Sequence, residues 1–332
     1  MNINIYGQII VMKIALVGPG IMPIPPPGWG AVEILIWDYY NELCKLGHDV
    51  VIINTKDMRN IVDQVNAGAF DFVHVHYDVF YQILPYLTCP RIAITSHYPY
   101  IDQVDKHRAD GYSRVFQFLV EQQKYYNFVL ANKDYDAFLA AGANPLFLRK
   151  IKNGINSDLF SFSEKPVKMR TLYLGKITPR KNQAVLQKRL PISMIDFVGN
   201  NADPSFNTRA SNYMGSWTRE QIYSGLTRYA NLLLLSEGEA DPLVVKEALI
   251  AGLGVVVNRS SSENLDTSLP FITVLDDDKM MDPDYVLEKL SENKDICIGS
   301  DVVSRQQIRQ YGIQQFDIKQ EVQSYMATIT VL

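Results

Sequence analysis

Cysteine is scarce in this chain. Cys44, Cys89 and Cys297 are its only three in 332 residues, far apart and without a CxxC pair. They offer no disulfide framework and read as reduced thiols in a reducing compartment. Long apolar runs are missing too: none reaches the ~18 residues that a membrane span needs. The N-terminus has no charged n-region and no small-residue cleavage site, so a cytoplasmic protein without a secretory signal is expected. No one sign of charge dominates, since 32 basic and 36 acidic residues leave a net −4. That balance gives nucleic acid no standing as the main partner. Neither GxGxxG nor the P-loop spacing occurs, which removes the motif basis for a nicotinamide oxidoreductase.

What is present is an ordinary globular composition, 47% hydrophobic and 20% charged, at a length comfortable for two domains. Short apolar runs at 14–17, 50–53, 72–75, 92–95 and 128–130 read as buried strands. Loops and amphipathic stretches alternate with them, which implies βαβ units and a parallel sheet covered on both faces. A helix is predicted over 31–46, closed by Gly47, where a left-handed residue is wanted. The first strand starts near Met12, and the residues before it read either as a ragged extension or as the product of an upstream start. The pattern then restarts with apolar runs at 172–174, 195–198, 232–235, 255–257 and 272–274. Helices are predicted over 182–188, 219–226, 243–251 and 283–290, then over 302–311 and 316–326. The turn-rich joint Asn153-Gly154-Ile155-Asn156-Ser157-Asp158 separates the two series. The expectation is an α/β chain of two doubly wound domains, 1–155 and 156–315, with 316–332 as a final helix returning to the first.

Three stretches carry candidate chemistry. The Pro/Gly loop over 23–30 opens the first helix at Ala31, and a helix N-terminus with free N–H groups suits phosphate. Taken alone, such a loop reads equally as punctuation. Gly175-Lys176-Ile177-Thr178-Pro179-Arg180-Lys181-Asn182 puts three cations between a strand and a helix, as a diphosphate needs; a solvated basic loop has the same composition. The third stretch follows the strand at 232–235. Glu239 lies in the loop at the strand's carboxyl end, where doubly wound sheets bind ligands. Glu247 lies about one turn into the next helix, with seven residues between the two acids. Two such carboxylates can accept hydrogen bonds from the hydroxyls of a sugar and a ribose. His74 and His76 share one face of a strand, which fits either a metal pair or a structural or acceptor-side role, and no further ligand completes a metal site in sequence.

Together these stretches resemble the retaining, family-four glycosyltransferases of GT-B fold, in the family's order along nearly the whole chain. Trp29-Gly30-Ala31-Val32-Glu33 is similar to the family's Gly-Gly-x-Glu loop. Leu46-Gly47-His48-Asp49-Val50, Phe72-Val73-His74-Val75-His76 and Thr95-Ser96-His97 resemble its Gly-His-x-Val, D-x-V-H-x-H and donor-histidine elements. Asn153-Gly154-Ile155-Asn156 with Phe160 resembles its joint, and Phe197-Val198-Gly199 its I-V-G strand. Gly175-Lys176 with Lys181 matches the Gly-Arg…Lys clamp, and Glu239 to Glu247 the E-x7-E element.

The resemblance implies two Rossmann-like domains facing across a cleft, and transfer of a sugar from a UDP or GDP sugar to an acceptor hydroxyl with retention. It implies no resident cofactor or metal. Lys176, Arg180 and Lys181 would meet the diphosphate, with the backbone at Gly30 and Ala31. Glu247 would hold the ribose, Glu239 and His97 the sugar, while Leu243 and Val244 complete the donor set at the start of the helix that bears Glu247. Glu239, Lys181 and His97 form the implied catalytic group. The implied acceptors are a saccharide, a lipid-linked glycan or a protein, the lipid-linked case with peripheral membrane contact. Non-catalytic sugar-nucleotide binding and sugar-nucleotide epimerisation are the alternatives. The chain departs from the family at Ala31 for glycine, Lys176 for arginine, Tyr98 after His97, and Asp241-Pro242 for a glycine-containing turn.

Overall fold

The computed structural model describes residues 11–299 and 302–332. In chain order the main elements are β1 (Lys13–Gly18), α1 (Ala31–Lys45), β2 (Asp49–Asn54), α2 (Met58–Gly68), β3 (Phe72–Val75), β4 (Ile92–Thr95), α3 (Ser113–Glu121), β5 (Tyr126–Val129), α4 (Asn132–Ala140) and β6 (Leu148–Lys150). There follow β7 (Thr171–Leu174), α5 (Gln183–Arg189), β8 (Ile195–Val198), α6 (Arg219–Gly225), β9 (Asn231–Leu234), α7 (Leu243–Ile250), β10 (Gly254–Asn258), β11 (Ile272–Leu275), α8 (Pro283–Lys294), α9 (Arg305–Phe316) and α10 (Ile318–Thr330). Of the segment before Met12, whose origin the sequence leaves open, all but Val11 lies outside the described residues. Among the described residues no helix is long and apolar enough to cross a membrane.

The chain divides into two compact units. One holds the residues through Pro26, Gly30–Gly154 and Ile318–Leu332; the other holds Pro27–Trp29 and Ile155–Asp317. In the first unit six parallel strands run in the order β2-β1-β3-β4-β5-β6. Their central members are buried along their whole length, which is why they read as unbroken apolar runs. The edge strand β6, Leu-Arg-Lys, is too short and polar to signal itself. The last helix, α10, starts at Ile318 rather than at Phe316, because α9 runs on to Phe316 and Asp317 turns extended between them. Ile318, Val322, Tyr325, Met326 and Ile329 form its buried stripe at helical spacing. It packs within the first unit, where the Tyr325 and Tyr39 rings meet edge to face at 5.0 Å.

In the second unit five parallel strands run in the order β11-β10-β9-β7-β8. The order reverses between β7 and β9, which makes the carboxyl ends of these two strands the topological switch point of the sheet, the place where doubly wound sheets bind ligands. Two glycines shape the strand ends beside it. Gly175 and Gly199 end β7 and β8 with φ of +153° and +148°. A Cβ on Gly199 would collide with the Gly175 carbonyl, so the close approach of the two loops requires glycine there.

Gly199→Ala should therefore cost about 2–4 kcal/mol of stability, from the unfavourable φ and the clash together. Urea unfolding measures it; a loss below about 0.5 kcal/mol would mean the loops can separate freely.

Candidate active site

In the second unit the loops after β7 and β9 meet beyond the carboxyl ends of their strands. Lys181 Nζ lies 3.1 Å from Glu239 Oε1, and Arg180 Nη1 lies 3.3 Å from the same oxygen. The backbone that presents them is pinned from several sides. The Tyr173 hydroxyl donates to the Lys181 carbonyl at 2.6 Å and accepts from the Leu235 N–H at 3.2 Å. Asn182 donates to the Leu235 carbonyl at 3.2 Å, and the Glu237 N–H donates to the Arg180 carbonyl at 2.9 Å. Asn258, at the end of β10, accepts from the Ser236 N–H and donates to the Ser236 carbonyl. Arg180 Nη1 also donates to Ser236 Oγ at 2.9 Å and to the Gly238 carbonyl. Arg180 thus stitches one loop to the other while facing Glu239.

Burial works against a charged Glu239, yet Lys181 first and Arg180 second more than offset it, and its pKa falls below the ordinary carboxylate value. The residue is an anion held between two cations. Lys176 differs from them. It is exposed, and its Nζ lies 5.1 Å from the centre of the Trp29 ring, which belongs to the same unit.

Beyond the loop, α7 brings the second acid. Leu243 at its start is buried and Val244 half-buried, and Glu247 is buried with Oε1 accepting from Arg219 Nη2 at 2.7 Å. The turn between the two glutamates contains Asp241, whose carboxylate forms a 2.5 Å ion pair with Lys246 in a setting where both side chains are about fully enclosed. The Lys246 ammonium also lies over the Phe316 ring at 5.0 Å. The departure at Asp241 thus has a structural partner five residues on: a buried ion pair ties the turn to the helix. Arg219 and Lys246 were not singled out in the sequence. Arg219 sits 28 residues before its partner, and nothing local marks it.

In the first unit the order reverses between β1 and β3. Gly30 caps α1 with φ +128°, and Ala31 takes the first helical position with its side chain exposed, so its Cβ is accommodated. The first helical bond from this turn is Ile34 N–H to Gly30 carbonyl; the N–H groups of Ala31, Val32 and Glu33 precede it and lack intrahelical partners. Past β3 and at the end of β4 the histidines gather. His74 is committed to structure: Nδ1 pairs with the Tyr325 hydroxyl at 3.1 Å and Nε2 with Thr95 Oγ1 at 2.6 Å. The His76 ring lies 3.7 Å from that of His74, and neither of its nitrogens has a hydrogen-bond partner although the residue is only 1% exposed. His97 stacks 6.3 Å from His76 and its Nε2 is likewise without a partner. Burial holds all three below the usual histidine pKa, His97 at about 4, so they are neutral at neutral pH. Among the described residues no group of three or more His, Cys, Asp or Glu side chains is arranged to hold a metal ion. Behind His97, Ser96 and Tyr112 both hydrogen-bond to the buried Asp78, and Tyr98 lies flat on Tyr112 at 3.7 Å, so the departure at Tyr98 anchors the loop.

The structure therefore brings Arg180, Lys181 and Glu239 together, sets Glu247 on the adjoining helix, and places the Lys176 ammonium over the Trp29 ring. Gly30, Ala31 and His97 belong to the first unit.

Two measurements test this. Neutral histidines in the fold have lowered pKa values, so their contribution to stability is complete above about pH 6.5 and is lost as pH falls toward 4. The melting temperature should drop across that window, and His76→Phe should flatten the drop, since Asp78 and Glu33, both raised by burial, act with the opposite sign. An unchanged slope would mean His76 protonates as readily folded as unfolded. For the buried pair, Lys246→Met should cost about 3–5 kcal/mol, and the double change Asp241→Asn/Lys246→Met much less, because the second removes the stranded charge. Equal losses would show that packing, not charge, sets the cost.

No family model matches the chain, and no curated protein matches it in sequence. Solved structures do match over nearly its full length. It is similar to the sucrose-phosphate synthase of Thermosynechococcus elongatus, with a TM-score of 0.71 at 14% identity over 97% of this chain and 100% of that one. It is similar to Anabaena HepE in complex with UDP and glucose, with a TM-score of 0.70 at 13% identity over 97% and 100%. It is also similar to WaaG, a glycosyltransferase involved in lipopolysaccharide biosynthesis, with a TM-score of 0.68 at 14% identity over 96% and 99%. At this identity the likeness speaks for the fold: the chain has the GT-B fold of these glycosyltransferases, two Rossmann-like α/β units.

Proposed function

We propose that the protein is a retaining glycosyltransferase that moves a sugar from a nucleotide diphosphate sugar to an acceptor hydroxyl. The observation that carries this reading is the meeting of Lys181 and Glu239 at the topological switch point of the second unit, with Glu247 on the helix that follows. A fixed cation, a charged acceptor of hydroxyl hydrogen bonds and a second carboxylate are what a diphosphate, a sugar and a ribose require.

Lys181, with Lys176, meets the negative charge that grows on the diphosphate as the anomeric carbon–oxygen bond breaks. Glu239 accepts from sugar hydroxyls and Glu247 from the ribose; Leu243 and Val244 line the start of that helix. Arg180 supports the same diphosphate through the charge it adds beside Lys181. In the first unit we assign His97 to a sugar hydroxyl, and the backbone N–H groups at Gly30 and Ala31 to phosphate. The acceptor oxygen bonds to the anomeric carbon on the face the phosphate leaves, and its proton passes to the departing phosphate oxygen, so no separate general base is assigned. Cationic side chains take the place of a resident metal. The donor is a UDP or GDP sugar, with UDP the first to try because HepE, of like fold, is solved with UDP and glucose. The acceptor is a saccharide, a lipid-linked glycan or a protein, the lipid-linked case reached by peripheral contact with a membrane from the cytoplasm.

Thermal-shift titration with UDP, GDP, ADP, TDP and CMP tests donor binding. A ligand at a hundred times its Kd stabilises the fold by about 2.7 kcal/mol, a readily measured rise. No rise with any of them at millimolar concentration would remove the reading. Sugar transfer should then fall about 100- to 1000-fold in Lys181→Ala. Near-normal turnover there would cancel the diphosphate role. Turnover of donor to an epimer without acceptor would instead make the protein an epimerase, and binding without any turnover a sugar-nucleotide-binding protein.

A further inference from the structure

Glu247 is buried on α7, and burying a carboxylate without a partner costs several kcal/mol or drives it to take up a proton. Its only hydrogen bond comes from Arg219, on Oε1 at 2.7 Å; Oε2 accepts none from any described residue. Arg219 is itself buried, and its placement is strongly determined. It is the first residue of α6, whose start is fixed by a capping box between Thr218 and Gln221. One turn on, Tyr223 lies under the guanidinium, 4.7 Å from ring centre to Cζ, and its hydroxyl accepts from Arg219 Nε at 3.3 Å. Tyr223 in turn is held edge to face by Phe160 at 5.1 Å. The guanidinium is thus clamped in orientation as well as in place, and it spends one N–H on one oxygen of Glu247.

From this arrangement, and resting on the function proposed above, we infer that Arg219 is a positioning residue for nucleotide recognition: it holds Glu247 by Oε1 and leaves Oε2 to accept from a ribose hydroxyl. A Glu247 free to rotate would seek water instead. Burial opposes the charged guanidinium, but the Glu247 carboxylate beside it outweighs this and raises the Arg219 pKa. Arginine suits the position better than lysine, because only a flat guanidinium can stack on Tyr223 while donating in plane to the carboxylate.

The test is calorimetric titration of UDP and GDP, and of their 2′,3′-dideoxy forms, into wild type, Arg219→Met, Arg219→Lys, Glu247→Gln and the uncharged double variant Arg219→Met/Glu247→Gln. For the ribonucleotide that wild type binds, Arg219→Met should raise Kd about 10- to 100-fold, the scale of one charge-assisted hydrogen bond. The dideoxy form should change by less than about threefold, since it has no hydroxyl for Glu247 to hold, and Arg219→Lys should fall between. The double variant keeps the test available if Arg219→Met fails to fold, because it buries no unpaired charge. It should bind the ribonucleotide no more weakly than Glu247→Gln alone. Wild-type affinity in Arg219→Met, equal loss for ribo and dideoxy forms, or a double variant weaker than Glu247→Gln each overturns the positioning role while leaving the proposed function standing. Wild type that binds neither nucleotide overturns both.

Discussion

The second unit is organised around one buried carboxylate. Glu239 stands where the strand order reverses, and its charge survives burial only because Lys181 and Arg180 arrive from the neighbouring loop. That requirement couples two segments far apart in sequence. The loop after β7 must bring its cations within hydrogen-bond reach of the loop after β9, and Tyr173, Asn182 and Asn258 spend their polar groups on holding both backbones at that spacing. Gly199 at the end of β8 packs directly on the Gly175 carbonyl, so a side chain there would displace the start of the cation-bearing loop.

A second constraint acts along the chain from Glu239 to Glu247. Seven intervening residues must make a turn and then about one helical turn, and the turn here has no glycine to relax it. The Asp241–Lys246 pair supplies the missing anchor, closing the turn onto α7 in a place water does not reach. Such a pair contributes little net stability compared with apolar residues of the same shape, but breaking half of it is expensive. Its effect is to leave the turn one arrangement. The same logic recurs at Arg219 and Glu247, so both acids of the E-x7-E element are flanked by cations drawn from elsewhere in the unit.

Much of this was legible before any coordinates. Fully buried parallel strands are unbroken apolar runs, and all ten predicted runs match strands to within about two residues, a margin expected of element ends. The loop cations and the two glutamates were legible because each follows a strand directly. What escaped was whatever acts at a distance or without periodicity. β6 is a short polar edge strand. Arg219 and Lys246 look like surface residues until the fold buries them against partners. His74 and His76 share a face as period two demands, but only the structure separates them: His74 is bonded at both nitrogens and His76 at neither.

The pairing of Glu239 with two cations rather than one has a consequence for ligand exchange. A phosphate that draws Lys181 toward itself takes away the stronger of the acid's two electrostatic partners. With a single cation this would leave a bare carboxylate in a buried setting, and the cost would be charged against binding. Arg180 removes that penalty, because its guanidinium is fixed by Ser236 and the Gly238 carbonyl and stays beside Glu239 whichever way Lys181 turns. The lysine, a flexible point charge, is the member suited to change partners; the arginine, with its planar fork already tied down, is the member suited to remain. With Lys181 serving a diphosphate as proposed, the order Arg180-Lys181 on one short loop would leave Glu239 one fixed counterion while the other changes partners.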